Sequence, residues 1–207
     1  MKVYIVRHGE SQDGAHGYHQ KPNSPLTEKG LNQADSIARK LTRFKINSIF
    51  SSPLPRARTT AQIISQKINR PVIEAPLLKE LKRPSEIEGQ PTNNQKVLKI
   101  KNKIWESSDD PFFQYPDEET FIDFKKRIAH FLNQLSKTPQ ENILLVTHSL
   151  TTKMILALAI IGDSLSSKEF LNIYDTFIFN KVGLTILEHS KEKNWQLITW
   201  NDQIQLG

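Results

Sequence analysis

The sequence predicts an α/β fold, a three-layer sandwich whose central, mostly parallel sheet carries helices on both faces. Three observations predict it. Val3-Tyr4-Ile5-Val6 and Ile143-Leu144-Leu145-Val146 are continuous apolar runs without polar alternation, the pattern of strands buried on both faces. Segments with apolar residues at helical spacing follow such runs repeatedly, the order that builds parallel sheets. Each run also ends in a polar loop marked by Gly, Ser or Pro.

Taken in order, the first strand at 3–6 runs into Arg7-His8-Gly9. Thr27 offers a helix N-cap, and Leu31, Ala34, Ile37, Ala38 and Leu41 recur behind it at helical spacing. Residues 46–51 read as a second strand closed by Ser52-Pro53. Ala57, Ala61, Ile64 and Ile68 mark the next helix, and Pro71-Val72-Ile73 begins a third strand. Residues 75–91 contain three prolines and no clean period, which predicts a loop. Val97, Ile100 and Ile104 share one face of an amphipathic helix whose other side carries Lys96, Lys99 and Lys103. A second loop at 109–116 is unusual in holding Phe112, Phe113 and Tyr115. Phe121, Phe124, Ile128, Phe131 and Leu135 then form a strong helical stripe. The strand at 143–146 ends in Thr147-His148-Ser149, and a helix follows over 150–161. The last third reads as strands near 176–179, 184–188 and 195–199. No repeat, low-complexity tract or linker interrupts the pattern, so one domain is expected over residues 1–207.

Composition narrows the function classes. The 207 residues suffice for a sizeable core without a staple, and 37% hydrophobic with 8% aromatic residues excludes wholesale disorder. With no Cys, disulfides, thiolate metal sites, Fe–S clusters and cysteine nucleophiles are all excluded. The apolar run at 154–161 is far shorter than the ~20 residues of a spanning helix. Arg7 follows Lys2 too soon for a signal-peptide apolar region. A soluble, cytoplasmic protein without membrane contact is expected. The net charge is +6 from 28 Lys+Arg and 22 Asp+Glu, a weak preference for anionic partners. A non-catalytic phosphate- or nucleic-acid-binding module is one alternative, since Lys96, Lys99, Lys101 and Lys103, and again Lys125-Lys126-Arg127, make basic runs. Both fall on amphipathic helices, where lysines solvate the outer face, and no nucleic-acid motif accompanies them. No nucleic-acid partner is expected.

Two of the buried strands end in histidines, His8 and His148, and ligands of open α/β sheets bind outside the carboxyl ends of strands. Arg7 precedes His8, and Gly9 after it permits close backbone approach to a ligand. In Ser51-Ser52-Pro53-Leu54-Pro55-Arg56-Ala57-Arg58, Arg58 falls in the first turns of a helix, where dipole and guanidinium both favour an anion. Two histidines and two arginines, with no carboxylate ligand set beside them, suit a phosphoryl group and call for no metal and no cofactor. Arg offers forked, permanently charged donors to phosphate oxygens, and a neutral imidazole nitrogen can attack phosphorus.

The residues here also carry a resemblance. Arg7-His8-Gly9-Glu10-Ser11 resembles the R-H-G-[ET/ES] signature of the histidine phosphatase superfamily, which includes cofactor-dependent phosphoglycerate mutases and many phosphatases. Ser24-Pro25-Leu26-Thr27-Glu28-Lys29-Gly30 with Gln33-Ala34 is similar to S-P-L-T-x-x-G-x-x-Q-A. The segment from Ser51 to Ala61 resembles S-S-x-L-x-R-A-x-x-T-A, and Val146-Thr147-His148-Ser149 resembles V-x-H-[GS]. These four segments stand in the family's order, and Trp200-Asn201-Asp202 resembles a less specific ending. The resemblance implies a phosphoglycerate mutase-like fold and a metal-independent phosphomonoesterase acting on a small phosphorylated metabolite. It implies His8 as the nucleophile that becomes phosphohistidine, and Arg7, Arg58, His148 and Ser149 as the phosphate pocket, with His148 also catalytic.

The family's general acid is usually a Glu soon after the third strand, which implies Glu80 in Leu77-Leu78-Lys79-Glu80. The next residues, Arg83-Pro84-Ser85-Glu86-Ile87-Glu88-Gly89, depart from the frequent G-x-W-E-G, so Glu86 and Glu88 are rivals. Many members carry a phosphate-touching Asn six residues past the nucleophile, where this chain has Gly14. His16 and His19 beyond it read as exposed loop residues, and His130 and His189 need no functional explanation. A phosphoglycerate-type mutase is the alternative activity. It needs cap segments and basic residues for a substrate carboxylate, and loop 109–116 offers aromatic side chains instead. Those aromatics either wall an apolar part of the pocket or seal the core beneath the loop, the latter being favoured.

Overall fold

The computed structural model describes residues 1–110 and 112–203. One mixed sheet of six strands organises them, in the spatial order β3-β2-β4-β1-β5-β6. The strands are β1 (Lys2–Arg7), β2 (Ser48–Ser51), β3 (Val72–Glu74), β4 (Asn142–Thr147), β5 (Leu184–Ser190) and β6 (Asn194–Asp202). The first four pair in parallel, while β5 is antiparallel to β1 and β6 to β5. Seven helices accompany them: α1 (Gln12–Ala15), α2 (Glu28–Leu41), α3 (Pro55–Ile68), α4 (Gln95–Glu106), α5 (Phe121–Ser136), α6 (Ser149–Ile161) and α7 (Ser167–Thr176). Among the described residues no helix is long and apolar enough to cross a membrane.

The uninterrupted apolar runs of β1 and β4 are explained by the two cores. Successive strand residues point to opposite faces. Val3, Ile5, Ile143 and Leu145 therefore pack on one side with Phe124 and Ile128 of α5, Met154 of α6 and Phe170 of α7. Tyr4, Val6, Leu144 and Val146 pack on the other with Ile37 and Leu41 of α2 and Ala61 and Ile64 of α3. This is the three-layer α/β arrangement the sequence predicts. A smaller cluster of Ile87, Val97 and Ile100, with Tyr115 against it, lies under the loops. Phe112 is 95% exposed and Phe113 half-buried. The aromatic loop thus covers a satellite core through Tyr115, and none of its three rings lines the cavity described below. Pro111 of that loop lies outside the described residues.

Two local expectations are corrected. Residues 176–179 are not a strand: Thr176 ends α7, and Phe177 and Phe179 both set their rings on Trp200, with centroids 5.2 Å away. Helix α7 is set up by a capping box between Ser166 and Glu169 and buries Phe170. The expected loop at 75–91 also contains one 3₁₀ turn, Pro76–Leu78, which buries Leu78.

The sheet's connectivity creates the site. Strand β4 inserts between β1 and β2, so the carboxyl ends of three parallel strands lie side by side. Arg7 stands opposite Thr147, and Ser51 opposite Val146. The next residues out, His8, His148 and Ser52, then gather beyond one edge. Backbone bonds carry the register past the strands: His8 N–H donates to Thr147 O at 3.0 Å and Ser52 N–H to Val146 O at 3.0 Å.

Candidate active site

His8 is 2% exposed, and its orientation is fixed by its neighbour. Its Nδ1 lies 2.6 Å from the Gly9 carbonyl oxygen. A carbonyl only accepts, so Nδ1 carries the ring proton and Nε2 keeps the lone pair. Gly9 is held in turn: its N–H donates to Thr60 Oγ1 at 3.2 Å, and that hydroxyl donates to Arg56 O at 2.8 Å. The close approach Gly9 permits is to backbone rather than to a ligand, since a Cβ there would stand 2.4 Å from Gly30 O at the start of α2.

His148 is fully buried at the N-cap of α6, its ring centroid 5.1 Å from that of His8. Its Nε2 lies 2.8 Å from Ser52 Oγ, while Nδ1 has no partner among the described residues. Ser149, the first residue of α6, lines the cavity. Burial first, and then the neighbouring cations, hold both histidines well below the ordinary imidazole range. For His8 the charged or chargeable neighbours are Lys181, His148, Arg56 and Arg7, in that order.

Arg7 and Arg56 line the same cavity as His8. The guanidinium of Arg7 donates from NH1 to the Phe179 carbonyl, so the irregular segment after α7 aims the first arginine. Arg56 is 3% exposed, and its NH1 is held by the carbonyls of Lys21 and Pro22, each at 3.2 Å. Both Nε atoms are buried without a partner among the described residues. Burial, as the largest cause, lowers both guanidinium pKa values, that of Arg56 to about 10, so both remain charged at neutral pH.

The expectation for Arg58 is corrected. Its NH2 donates to Glu74 Oε2 at 2.9 Å with half its side chain in solvent, and it does not line the cavity. Residues two apart on a helix point roughly 200° away from each other, so α3 can present only one of these arginines to the strand ends. That one is Arg56. The signal was present in the R-A pair of the quoted segment.

Glu80 reaches the site from beyond β3 and lines the cavity. Its carboxylate accepts from the first turn of α6, Leu150 N–H on Oε2 at 3.1 Å and Thr151 N–H on Oε1 at 3.0 Å, as well as from Thr151 Oγ1 at 3.2 Å. These groups fix the carboxylate beside Ser149 and His148. Glu88 also lines the cavity, and burial first, with Asp117 second, pushes its carboxyl up. Glu86 does not: it accepts from Tyr115 Oη and pairs with Lys96 Nζ at 3.5 Å. His16 is exposed, as expected, whereas His19 lines the cavity beside Tyr18.

The cavity holds about 470 Å³. Tyr18, Leu54, Leu81, Leu150 and Tyr174 give it apolar wall, and Lys79, Lys82 and Arg83 ring it with charge. Among the described residues no three His, Asp or Glu side chains gather as a metal site. The arrangement is an imidazole with a directed lone pair, a second buried imidazole, two aimed guanidiniums and a fixed carboxylate. It matches the needs of phosphoryl transfer, in which positioning and charge neutralisation outweigh other contributions.

The chain has relatives among known proteins in sequence and in fold. The chain is 30% identical over 162 residues to a protein of Proteus mirabilis described as probable phosphoglycerate mutase GpmB, covering 76% of this chain and 74% of the relative. The alpha-ribazole phosphatase of Shigella flexneri shares the fold with a TM-score of 0.80 at 22% identity, over 98% of this chain and 96% of that one. The mycobacterial glucosyl-3-phosphoglycerate phosphatase does so with a TM-score of 0.77 at 19% identity, over 98% and 99%. The model of branch 1 of the histidine phosphatase superfamily matches residues 3–203, and the chain belongs to that family, an enzyme of the histidine phosphatase type.

Proposed function

We propose that the protein hydrolyses phosphate monoesters of small metabolites in two steps, through a phosphohistidine on His8 and without a metal ion. One observation carries this reading. The Nε2 lone pair of His8, freed by the Nδ1–Gly9 bond, shares the strand ends with three buried nitrogens that have no partner among the described residues: Arg7 Nε, Arg56 Nε and His148 Nδ1. Buried donors without acceptors are costly, and the three non-bridging oxygens of a phosphoryl group would satisfy them. If the Ser52 hydroxyl donates to His148 Nε2, Nδ1 of that ring carries its proton and joins the donors.

In the first step Nε2 attacks phosphorus, the bond to the ester oxygen breaks, and the leaving oxygen takes a proton from Glu80. In the second, Glu80 accepts a proton from water as water attacks phosphorus. The N–P electron pair returns to Nε2 and inorganic phosphate departs. The Gly9 carbonyl stabilises the Nδ1–H through both steps. The apolar and aromatic wall supports an organic alcohol as leaving group, consistent with the small phosphorylated compounds named for the relatives. A cytoplasmic location remains the expectation.

Glu88 supports a second assignment of the proton donor, because it lines the same cavity and burial raises its carboxyl. The pH dependence of kcat separates the two. In Glu80→Gln the proton-donor limb disappears and kcat falls roughly 10²–10⁴-fold, while Glu88→Gln keeps the limb. The opposite result transfers the role to Glu88.

A panel of phosphomonoesters tests the activity itself. Inorganic phosphate should be released at an unchanged rate after chelator treatment. Transfer of the phosphoryl group to a second phosphoglycerate position, in place of release, marks a mutase.

A further inference from the structure

We propose that Lys181 is a further catalytic residue of this enzyme, its ammonium donating to a non-bridging oxygen of the phosphoryl group held at His8, in the space that the missing side chain of Gly14 leaves open. The proposal rests on the phosphoryl-transfer reading above and adds a residue that neither the strand ends nor the quoted motifs contain.

The geometry begins at Gly14, one turn past the nucleophile loop. A Cβ there would meet Lys181 Nζ at 3.5 Å, Ser11 Oγ at 3.0 Å and Gln20 Nε2 at 3.2 Å. The lysine tip therefore occupies the direction in which any side chain of residue 14 would project. Gly14 does not have a positive φ, so it is not glycine for backbone reasons. A side chain there would crowd Ser11 Oγ and Gln20 Nε2 first, and beyond its Cβ it would compete with the ammonium for the same space. At this position the family resemblance implies an Asn, and the cation arrives there instead from a distant segment.

The ammonium has a place but no partner. Among the described residues no acceptor takes a hydrogen bond from Nζ and no carboxylate lies within ion-pair distance. The nearby Ser11 Oγ is likewise buried and unpartnered. Yet this cation stands near the nucleophile. After burial, its charge is the next cause that lowers the His8 imidazole. The backbone neighbour of Lys181, Val182, is bonded to the carbonyl of Arg7, the residue before His8, so the lysine extends from a segment docked beside the nucleophile. A lone cation held beside the attacking nitrogen, with two arginines already there, is repulsive until an anion arrives.

The backbone shows that this placement is enforced. Val182 N–H donates to Arg7 O at 3.1 Å, tying the segment to the residue before His8. Asn180 N–H donates to Asn201 Oδ1 at 3.0 Å, and the Lys181 carbonyl accepts from Gln203 Nε2 at 3.1 Å. Val182 itself sits at φ 50°, a strained conformation for a β-branched residue that persists only when its surroundings over-determine it. The strain falls on the residue beside the lysine, where the chain turns from the site into β5.

Charge supports the same role. Burial first, then Arg7 of β1 and Arg56 of α3, bring the Lys181 ammonium down to about 7, against the opposing pull of Glu10 and Glu80. His8 and His148 face it as neutral rings. A dianionic phosphoryl group would reverse the balance and hold the proton on. In the free enzyme the ammonium is lost as pH rises through about 7, so kcat/KM should fall on the basic side and that limb should be absent in Lys181→Arg.

The test compares the parent enzyme with Lys181→Ala, Lys181→Arg and the double variant Lys181→Ala/Gly14→Asn. It reads kcat/KM on an aryl phosphate and the affinity for inorganic phosphate by calorimetry. Lys181→Ala should lose roughly 10²–10³-fold in kcat/KM and at least about tenfold in phosphate affinity. Lys181→Arg should stay within about tenfold of the parent, and Gly14→Asn should restore at least about tenfold of what Lys181→Ala loses. That rescue distinguishes a lost phosphate contact from a damaged fold, because a structural defect at 181 would not be repaired from residue 14. The proposal is overturned if Lys181→Ala keeps both quantities within about threefold of the parent, or if the double variant recovers nothing. A parent that releases phosphate and forms a phosphoenzyme while Lys181→Ala is unchanged overturns this inference alone. A parent that does neither overturns the phosphoryl-transfer reading with it.

Discussion

His8→Ala abolishes turnover, by at least about 10⁴-fold, and with it the acid-labile phosphoenzyme that rapid alkaline quenching of a radiolabelled reaction traps in the parent. No other described imidazole has both a free lone pair fixed by a carbonyl at its other nitrogen and a place among the arginines. His148 shares the site, but its Nε2 is engaged with Ser52 Oγ. Because His8 is buried and bonded to Gly9, the alanine variant also loses packing and a hydrogen bond. His8→Asn, which can keep a donor for the Gly9 carbonyl, is the companion variant, and its melting temperature reports whether the fold survives. An Asn variant that folds and still turns over at the parent's rate would remove His8 from its role. The pH dependence follows from the same burial. A pKa lowered by burial and then by Lys181, His148, Arg56 and Arg7 leaves the ring neutral as pH falls below the ordinary value of about 6.5, where a solvated imidazole becomes charged and loses its lone pair. Ring-nitrogen NMR should therefore find His8 neutral, protonated at Nδ1, at pH 6. Titration near 6.5 would mean that the ring is not held as the structure holds it.

The parts of this molecule that were legible in the sequence are those whose cause is local. β1 and β4 are buried on both faces, so their apolar runs could not alternate, and the runs identified both strands and the histidines beyond them. Helices α2, α3, α4 and α5 announced themselves by apolar residues at helical spacing, because each buries one face. Strand order was not legible, because nothing in residues 142–147 says that β4 inserts between β1 and β2. Helix α7 was missed although Ser166 and Glu169 form its capping box. Thr176 to Phe179 carries aromatic and β-branched residues that fit a strand, and their actual role is to pack on Trp200 and to offer Phe179 O to Arg7. In the site, His8, Arg7, Glu80 and His148 sit next to strand ends or in motif segments. Lys181 had no such flag: its tip lies beside a glycine 167 residues earlier in the chain, on a backbone tied to Arg7 and Asn201.

Arg56→Ala should cost roughly 10²–10³-fold in kcat/KM, whereas Arg58→Ala should stay within about twofold of the parent, although the two residues are separated by a single alanine. The difference lies in what surrounds each guanidinium. Arg56 is desolvated, anchored by the carbonyls of Lys21 and Pro22, and leaves its Nε without an acceptor among the described residues, so a phosphoryl oxygen there would meet a fixed, low-dielectric charge. Arg58 shares an exposed pair with Glu74, where water and salt screen most of the interaction and little depends on it. Arg56→Lys refines the test: it keeps the charge but loses the forked donor set, so it should recover only part of the alanine loss. A melting temperature for Arg56→Ala close to the parent's shows that the lost rate is not lost fold. Should Arg58→Ala instead lose more than about tenfold while Arg56→Ala does not, the phosphoryl group binds on the opposite side of α3. His8 would then be aimed at the wrong volume, because Thr60, which holds Gly9 in place beside it, lies one turn beyond Arg56 and bonds to its carbonyl.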